Sequence, residues 1–408
     1  MQIGRMIGID LNEKNAMVSY YTDGMSEPAT FSMVTGSEVY QIPICVCKRK
    51  GMEQWLYGED ARKYALTSGA VCVEGLFKKA LLGEQVEIEG RIYDTAKLFF
   101  LFLRRLIFLP VHAGGIREND RLAIAAEHMN QEIRKLILLF AEYMDISPKQ
   151  LTLLDYRESF YYYALSQPED LCLHGVALYY YGGGKLKFWH LSRDKRTVPQ
   201  VVSIEEKNYN SIAGNRDGAF SQIVQSTLGG KIISCVYLIG DGFDGDWMKQ
   251  SLAVICRGKR AFMGKNLFSK GACYGAAIKA EPSGWKYVYL GDNEIRMNIG
   301  LKVKRKGKQE FYTLIMAGES WYEETGECEV ILEKDKYLDF YLKPPESREA
   351  VIRRLELNDL PDREERTTRL RILAQPLARN QVKLTIKDMG FGEIVKSSDK
   401  TWEYVMSF

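Results

Sequence analysis

The sequence predicts an α/β domain followed by a β-sandwich-like domain, and two patterns in the chain support this fold class. Through residues 1–280, apolar strand-like segments alternate with segments whose apolar residues recur at helical spacing. Between residues 285 and 408, period-two alternation with polar or glycine turns replaces that pattern. The composition changes between the two parts, at Ala280-Glu-Pro-Ser-Gly284. We therefore predict one domain over residues 1–280 and a second over residues 285–408.

The composition is that of a globular protein with enough apolar material for a large core. Of the 408 residues, 46% are hydrophobic and 27% are charged, and the net charge is only +3. This charge gives no reason to expect nucleic acid or an anionic membrane as a partner. The most apolar run, residues 98–110, contains Arg104 and Arg105 and is shorter than the ~20 apolar residues of a membrane span. The N-terminal residues do not resemble a signal peptide, so we expect a cytoplasmic protein.

The eight cysteines are scattered and include no Cys-x-x-Cys pair. Cys45 and Cys47 are two residues apart on a predicted strand, so they share one face. Most of the others lie in apolar runs, which favours buried free thiols in a reducing compartment. A disulfide or zinc framework is the alternative interpretation. The four histidines show no metal-ligand spacing, so we do not expect a metal enzyme.

Local patterns place the elements of the α/β part in order. The first is a hairpin over residues 6–21 with a polar turn. A second hairpin is expected over residues 176–191, with Gly182-Gly183-Gly184-Lys185 at its turn. The other predicted elements are extended segments at 31–34 and 42–48, strands at 121–126, 151–154 and 232–239, and helices at 59–66, 96–109, 130–144, 157–165, 217–228 and 247–255. A helix of small residues at 271–277 is of a kind that packs closely against another element.

A glycine-rich turn follows the strand at 232–239. It contains Gly240, Asp241, Gly242 and Phe243, and a helical segment comes after it. Such a turn lets the backbone approach a ligand closely. The alternative interpretation is a plain tight turn.

Several of these segments together resemble motifs of the actin-like ATPase superfamily, which includes actin, sugar kinases and heat-shock chaperone ATPases. Residues 7–12 resemble its first phosphate motif, and residues 154–158 resemble its first connecting motif. Residues 238–246 resemble its adenosine motif, and residues 271–277 its second connecting helix. The chain as a whole also resembles an uncharacterised bacterial family with this domain and a β-rich C-terminal domain.

The resemblance implies a two-lobed, ribonuclease H-like fold with ATP and Mg²⁺ in a cleft between the lobes. Each lobe contributes one hairpin, whose backbone amides bind phosphate oxygens. Asp10 is then the expected ligand of Mg²⁺, held through water, and Glu158 the acid that helps to position water or metal. The residues expected at the nucleotide are Asn12, Glu13, Lys14, Gly182, Gly183, Gly184 and Lys185 at the phosphates, and Gly240, Asp241, Gly242 and Phe243 at the adenosine.

Each of these residues also has a plainer interpretation. Asp10 can cap a turn, and Glu158 can place a negative charge at a helix N-terminus. Residues 182–184 can form an ordinary hairpin turn around an empty cleft.

The chain departs from the family pattern at the second phosphate hairpin. The family has Asp-x-Gly-x-Gly-Thr there, whereas this chain has tyrosine at the aspartate position, in Tyr179-Tyr180-Tyr181, and then Lys185. Phosphoryl transfer depends on positioning and electrostatic stabilisation around Mg²⁺, so loss of the second carboxylate removes a means of orienting the metal. The sequence therefore predicts ATP binding with weak or lost hydrolysis.

Two further hypotheses are open at this point. The chain is a non-catalytic scaffold that keeps the fold without nucleotide, or it is a small-molecule kinase that uses Asp217 as its catalytic acid. In the chaperones a β-sandwich after the ATPase binds extended peptide. By analogy, the β-rich domain is expected to contact a protein partner.

Overall fold

The computed structural model describes residues 4–110, 116–210, 212, 214–322 and 325–408. The fold is mixed α/β, and the chain divides into two compact units. The first unit comprises residues 1–191 and 205–285, and the second comprises residues 192–204 and 286–408. No helix among the described residues is long and apolar enough to cross a membrane.

The first part of unit one is built around a mixed sheet. Its elements are β1 (Met6–Leu11), β2 (Asn15–Tyr21), β3 (Ala29–Thr30), β4 (Ile42–Pro43), β5 (Val46–Lys48), β6 (Trp55–Tyr57), α1 (Gly58–Ser68), β7 (Cys72–Val73), α2 (Leu76–Leu81), β8 (Gln85–Ile88), β9 (Arg91–Asp94), α3 (Thr95–Phe108), β10 (Arg121–Ala126), α4 (Gln131–Tyr143), β11 (Leu151–Asp155) and α5 (Tyr156–Leu165). The strand order is β11-β10-β1-β2-β3, and β4 also pairs with β2. Strand β1 is antiparallel to β2 and parallel to β10, which is parallel to β11.

A second mixed sheet follows in the chain. Its elements are α6 (Glu169–Cys172), β12 (Gly175–Gly182), β13 (Lys185–Asp194), β14 (Gln200–Tyr209), α7 (Arg216–Leu228), β15 (Ile233–Ile239), α8 (Lys249–Ile255), β16 (Arg260–Gly264) and α9 (Leu267–Ala280). The strand order is β16-β15-β12-β13-β14. Strand β12 is antiparallel to β13 and parallel to β15, which is parallel to β16.

The two sheets repeat one topology. In each sheet, the first strand lies at the centre, with its hairpin partner on one side and two later parallel strands on the other. A helix joins those two parallel strands, and a further helix leaves the last one. These departing helices, α5 and α9, pack against each other.

Glycines allow α9 to lie unusually close to its neighbours. A Cβ on Gly271 would lie 2.1 Å from the carbonyl oxygen of Ser159 on α5. On the other side, a Cβ on Gly8 of β1 would lie 2.2 Å from the carbonyl oxygen of Ser269. Both distances are far shorter than any real contact of a Cβ atom, so only glycine fits at these positions. The small-residue character of this helix thus has a packing cause.

Most of the predicted elements are confirmed. Both hairpins form, with the registers Met6↔Tyr21 and Val176↔Leu191. All of the predicted helices lie within observed helices, apart from one or two residues at their ends. The predicted extended segment at 31–34 is wrong, because the hydroxyl groups of Ser32 and Ser37 both donate to the carbonyl of Val34 and form a turn.

The second unit contains two antiparallel sheets around one core. Its elements are β17 (Tyr287–Tyr289), β18 (Asn298–Arg305), β19 (Lys308–Ile315), β20 (Gly326–Leu332), β21 (Tyr337–Lys343), β22 (Val351–Glu356), β23 (Thr368–Ala378), β24 (Gln381–Gly390) and β25 (Thr401–Ser407). The sheet orders are β19-β18-β21-β22 and β20-β23-β24-β25. Buried apolar residues of both sheets, such as Phe340 and Ile372, belong to one cluster. Strand β17 pairs with Gln200–Val202, which belong to the same unit.

A buried ion pair stabilises one end of this sandwich. The Asp388 carboxylate is inaccessible to solvent and accepts two hydrogen bonds from Arg363, at 2.8 and 2.7 Å. It also accepts bonds from the backbone N–H and the hydroxyl group of Ser398. These donors hold the pKa of Asp388 well below its usual range despite its burial.

The Gly271→Ala substitution is expected to destabilise unit one by about 1–3 kcal/mol. The added methyl group would meet the backbone carbonyl oxygen of Ser159, which cannot rotate away as a side chain could. Gly264→Ala is the matched control, since its Cβ would meet nothing closer than 3.8 Å. The control is expected to stay within about 0.5 kcal/mol of wild type. Urea denaturation of both variants measures the difference. Equal stabilities would contradict the close contact of α5 and α9.

Candidate functional site

Asp10 lies near the end of β1, and its side chain is enclosed in unit one. The residue is 1% exposed, and Oδ1 accepts a short hydrogen bond from the hydroxyl group of Tyr156. Tyr156 is the first residue of α5, directly after the Asp155 that caps this helix. The fold therefore places a phenol against the carboxyl group of Asp10.

Four aromatic side chains, Tyr156, Tyr180, Trp189 and Phe268, form a cluster beside this carboxyl group. The rings of Tyr156 and Phe268 stack with centroids 3.9 Å apart. Tyr180 packs edge-on against both rings, at 5.7 and 5.6 Å, and stacks on Trp189 at 6.3 Å. Such aromatic pairs add to the stability gained from burial alone. We call these four residues the aromatic cluster.

The surroundings of Asp10 raise the pKa of its carboxyl group. Burial raises the pKa of Asp10 from 3.8 to about 7, the hydrogen bond from Tyr156 lowers it in part, and the negative charge of Glu127 raises it further. Glu127 is itself paired with Lys187 of β13, at 2.6 Å. Burial also raises the pKa of Tyr156 and of Tyr180, so both phenols are neutral donors at pH 7.

The first hairpin turn satisfies its own backbone. The side-chain oxygen of Asn12 accepts hydrogen bonds from the backbone N–H groups of Lys14 and Asn15, at 2.9 and 2.7 Å. Glu13 and Lys14 lie at the turn, and Glu13 is exposed. Two amides that a phosphate group would need are therefore already occupied by Asn12.

The second hairpin turn is open. Gly183 and Gly184 have positive φ values of 57° and 75°, and a Cβ on either would meet nothing within 4 Å. Gly182 is half-buried beneath the hydroxyl group of Tyr180, which a Cβ would approach to 2.7 Å. Lys185 is exposed at the start of β13.

The glycine-rich turn after β15 is covered by a side chain. A Cβ on Gly242 would lie 2.2 Å from the ring of Tyr181, and one on Gly240 would lie 2.5 Å from the carbonyl oxygen of Tyr181. Arg216 donates to the carbonyl group of Gly242 at 2.6 Å. Phe243 is 2% exposed and belongs to the core beneath the second sheet. These glycines therefore allow close packing against the protein's own tyrosine.

Asp241 is the exposed member of this turn. Its carboxylate accepts a hydrogen bond from the side chain of Gln41 at 2.7 Å and lies 3.4 Å from the Lys265 ammonium group. The turn is thereby linked to the loop that precedes β4.

Glu158 is buried in the first turn of α5 and lies 3.3 Å from the ammonium group of Lys279 on α9. Its backbone N–H donates to the side chain of Asp155. This ion pair links α5 to α9, which is a structural use of the carboxylate.

The geometry at Asp10 does not suit Mg²⁺. A Mg²⁺ ion requires an ionised oxygen ligand with room for its water molecules. Here the carboxyl group is buried, its pKa is raised to about 7, and it is bound by Tyr156. No reaction step through Mg²⁺ or ATP therefore follows from this arrangement.

Comparison with known families places the chain in a group without an assigned function. Residues 27–292, more than half of the chain, match the model described as "Family of unknown function (DUF5716) C-terminal". The chain belongs to this DUF5716 family. Residues 294–408 match "Domain of unknown function (DUF8552)". No curated protein matches the sequence.

Several residues at the site of this DUF5716 protein escaped prediction from sequence. Tyr156, Phe268 and Arg216 occur in ordinary apolar or helical segments, where nothing in a pattern of apolar residues distinguishes them. Tyr180 and Tyr181 gave a partial signal, because these bulky phenols directly precede the glycines of a turn. Such side chains must occupy space that a ligand would otherwise take.

Asp10 is expected to make stability depend on pH between about 4 and 7. A carboxyl group whose pKa is higher in the folded state contributes stability below its unfolded pKa, and this stability is lost as the pH rises towards 7. The loss amounts to up to about 4 kcal/mol, since one pH unit is worth about 1.4 kcal/mol. Asp10→Asn is expected to lack this part of the pH dependence.

Urea denaturation of wild type and Asp10→Asn at pH 4.5 and at pH 8 measures the effect. The variant should gain stability relative to wild type as the pH rises. Parallel pH profiles for the two proteins would show that Asp10 ionises as freely in the folded state as in the unfolded state.

Proposed function

We propose that the first unit is a two-lobed domain of the actin-like ATPase type. The support for this proposal is the repeated strand order of its two sheets, together with the packing of α5 against α9. Each sheet begins with a hairpin, at residues 6–21 and 175–194, as the phosphate-binding hairpins of that superfamily do. Fold likeness alone does not assign an activity, so the argument for function depends on the site.

The function that the geometry supports best is that of a non-catalytic scaffold, which keeps this fold without nucleotide. The observation that carries the proposal is the hydrogen bond from Tyr156 to the buried carboxyl group of Asp10, beneath the aromatic cluster. The hydroxyl group of Tyr156 occupies a carboxyl oxygen that a metal or water would otherwise contact. The covering of Gly242 by Tyr181 supports the same conclusion at the adenosine end.

Nucleotide binding with weak or lost hydrolysis is the second candidate. The open turn at Gly183 and Gly184, next to the exposed Lys185, favours it. Backbone amides in such a turn can bind an anion, and a lysine can balance its charge. In this alternative ATP binds through the second hairpin, and Mg²⁺ is not held by Asp10.

The small-molecule kinase has less support. It requires Asp217 as a free catalytic acid, yet both oxygens of this carboxylate accept backbone hydrogen bonds at the start of α8. The donors are the N–H groups of Gln250 and Ser251, at 2.6 and 2.8 Å. Asp217 therefore stabilises a helix N-terminus.

For the second unit we propose contact with a protein partner along strand β22. This strand lies at the edge of its sheet, and its apolar residues Val351 and Ile352 are 51% and 52% exposed. An edge strand has unpaired backbone groups that can bind an extended peptide, and exposed apolar side chains add contact area.

Titration with ATP distinguishes the first two candidates. Isothermal titration calorimetry and thermal unfolding are performed on the full chain with millimolar ATP, with and without Mg²⁺. A scaffold without a nucleotide site should give no saturable heat and no shift in the unfolding temperature. A ligand at 100 times its Kd would add about 2.7 kcal/mol of stability, which such a scan detects.

Saturable heat and a clear rise in the unfolding temperature would favour the second candidate instead. A Lys185→Ala variant is the control for that outcome, since its loss of binding would place the phosphates at the second hairpin. If the wild type releases inorganic phosphate from ATP and Asp10→Asn does not, both candidates are contradicted.

A further inference from the structure

A cluster of two cysteines and a glutamate lies away from Asp10, at the small sheet of β6, β5 and β7. Strands β5 and β7 are antiparallel, with Cys47 paired directly with Cys72. Cys45 directly precedes β5, and Glu74 directly follows β7, so both residues lie at the ends of the two paired strands. The pairing of β5 with β7 therefore brings the chain on either side of Cys45 and Cys72 close together.

Three of these side chains converge. The sulfur atoms of Cys45 and Cys72 and a carboxylate oxygen of Glu74 all lie within 4.8 Å of one another. The sulfur of Cys72 is 3.8 Å from Oε1 of Glu74. Tetrahedral zinc, with Zn–S of ~2.3 Å and Zn–O of ~2.0 Å, holds two such ligand atoms about 3.5 Å apart. A small adjustment of side chains would bring all three atoms to coordination distance.

We propose that Cys45, Cys72 and Glu74 form a binding site for a zinc-class divalent cation, with water at the fourth position. Thiolate ligands select Zn²⁺ and softer metals over Mg²⁺ and Ca²⁺, which prefer oxygen ligands alone. Among the residues that the structure describes, this is the one such group of three ligand atoms.

Arg62 of α1 supplies the positive charge that balances the site. It donates from Nε and Nη2 to the two oxygens of Glu74, at 2.7 and 2.9 Å. A carboxylate oxygen can accept such a bond and still bind a metal with another lone pair. Two thiolates, one carboxylate, Zn²⁺ and the guanidinium group sum to zero charge. Hydrogen-bonded outer partners of this kind are usual around metal ligands.

The site has both a solvent path and a structural role. Cys45 is buried, Cys72 is half-buried and the side chain of Glu74 is 51% exposed, so an ion reaches the ligands from the side of Glu74. Strand β7 is only two residues long. A bound cation would join the residue before β5 to β7 and, through Arg62, to α1.

The test uses the full chain, purified in the presence of a reducing agent and stripped of metal. Co²⁺ is added first, because thiolate ligands to Co²⁺ give a charge-transfer absorption, and Zn²⁺ is then used to displace it. Wild type is expected to bind one equivalent with a thiolate-to-cobalt band. Cys72→Ser is expected to lose this band, while Cys256→Ser, which changes an exposed cysteine elsewhere, is expected to keep it.

A second pair of variants tests the carboxylate without removing a thiol. Glu74→Gln is expected to weaken Zn²⁺ binding tenfold or more in competition with a chromophoric chelator. Glu59→Gln is the matched control, because Glu59 also contacts Arg62, at 3.2 Å, but lies outside the group of three. It is expected to change the affinity less than twofold. Circular dichroism confirms that each variant is folded.

Two results would overturn the proposal. In the first, the reduced wild type takes up no more Co²⁺ or Zn²⁺ than Cys72→Ser does. In the second, all four variants take up as much metal as the wild type, which would place the metal elsewhere. A Cys45–Cys72 disulfide in air-exposed protein, with no metal bound after reduction, would identify the pair as redox-active thiols instead.

Discussion

The contact between α5 and α9 is the constraint on which the first unit depends. Each helix leaves the last strand of one sheet and packs on elements of the other sheet. Phe160 of α5 lies against Trp189 and Tyr237 of the second sheet, while Ser269 of α9 bonds to Ser19 of the first. The approach is so close that Gly271 and Gly8 admit no side chain. The two sheets are therefore held together by backbone-to-backbone packing.

The same two helices determine the character of the candidate site. Tyr156 begins α5 and Phe268 lies in the first turn of α9, so the stacked pair beside Asp10 comes from the ends of the helices that join the sheets. Opening the site around Asp10 would require these rings to separate. The enclosure of Asp10 and the packing that holds the two sheets together thus have one physical origin.

The order of strands and helices was largely predictable, because it depends on local patterns. Hairpins such as that of residues 6–21 show turn residues between apolar runs, and helices such as α4 show clear apolar spacing. Strand β14 was missed because its second half, Glu205-Glu206-Lys207-Asn208, is charged and largely exposed. Strand β25 was also missed, although its burial alternates along Thr401–Ser407.

The site was less predictable, since it depends on contacts between residues far apart in the chain. Asp10 was predicted at the metal and Gly242 at the adenosine, but sequence patterns do not show that Tyr156 contacts the one and Tyr181 the other. A sequence pattern indicates that a glycine permits close approach. It does not indicate whether a ligand or the protein's own side chain is the group that approaches. The Cys45, Cys72 and Glu74 group was not predicted either, because Cys45 is far from the other two residues in the chain.

The most direct test of the account is the titration of the Asp10 side-chain carboxyl group by carbon-13 NMR, with Asp10→Asn to assign the signal. We expect a midpoint near pH 7 that does not move when Mg²⁺ and ATP are added. A midpoint near the ordinary value of 3.8, or a signal that shifts with Mg²⁺, would contradict it. Either result would mean that this carboxylate is open to solvent and metal, as in an active ATPase.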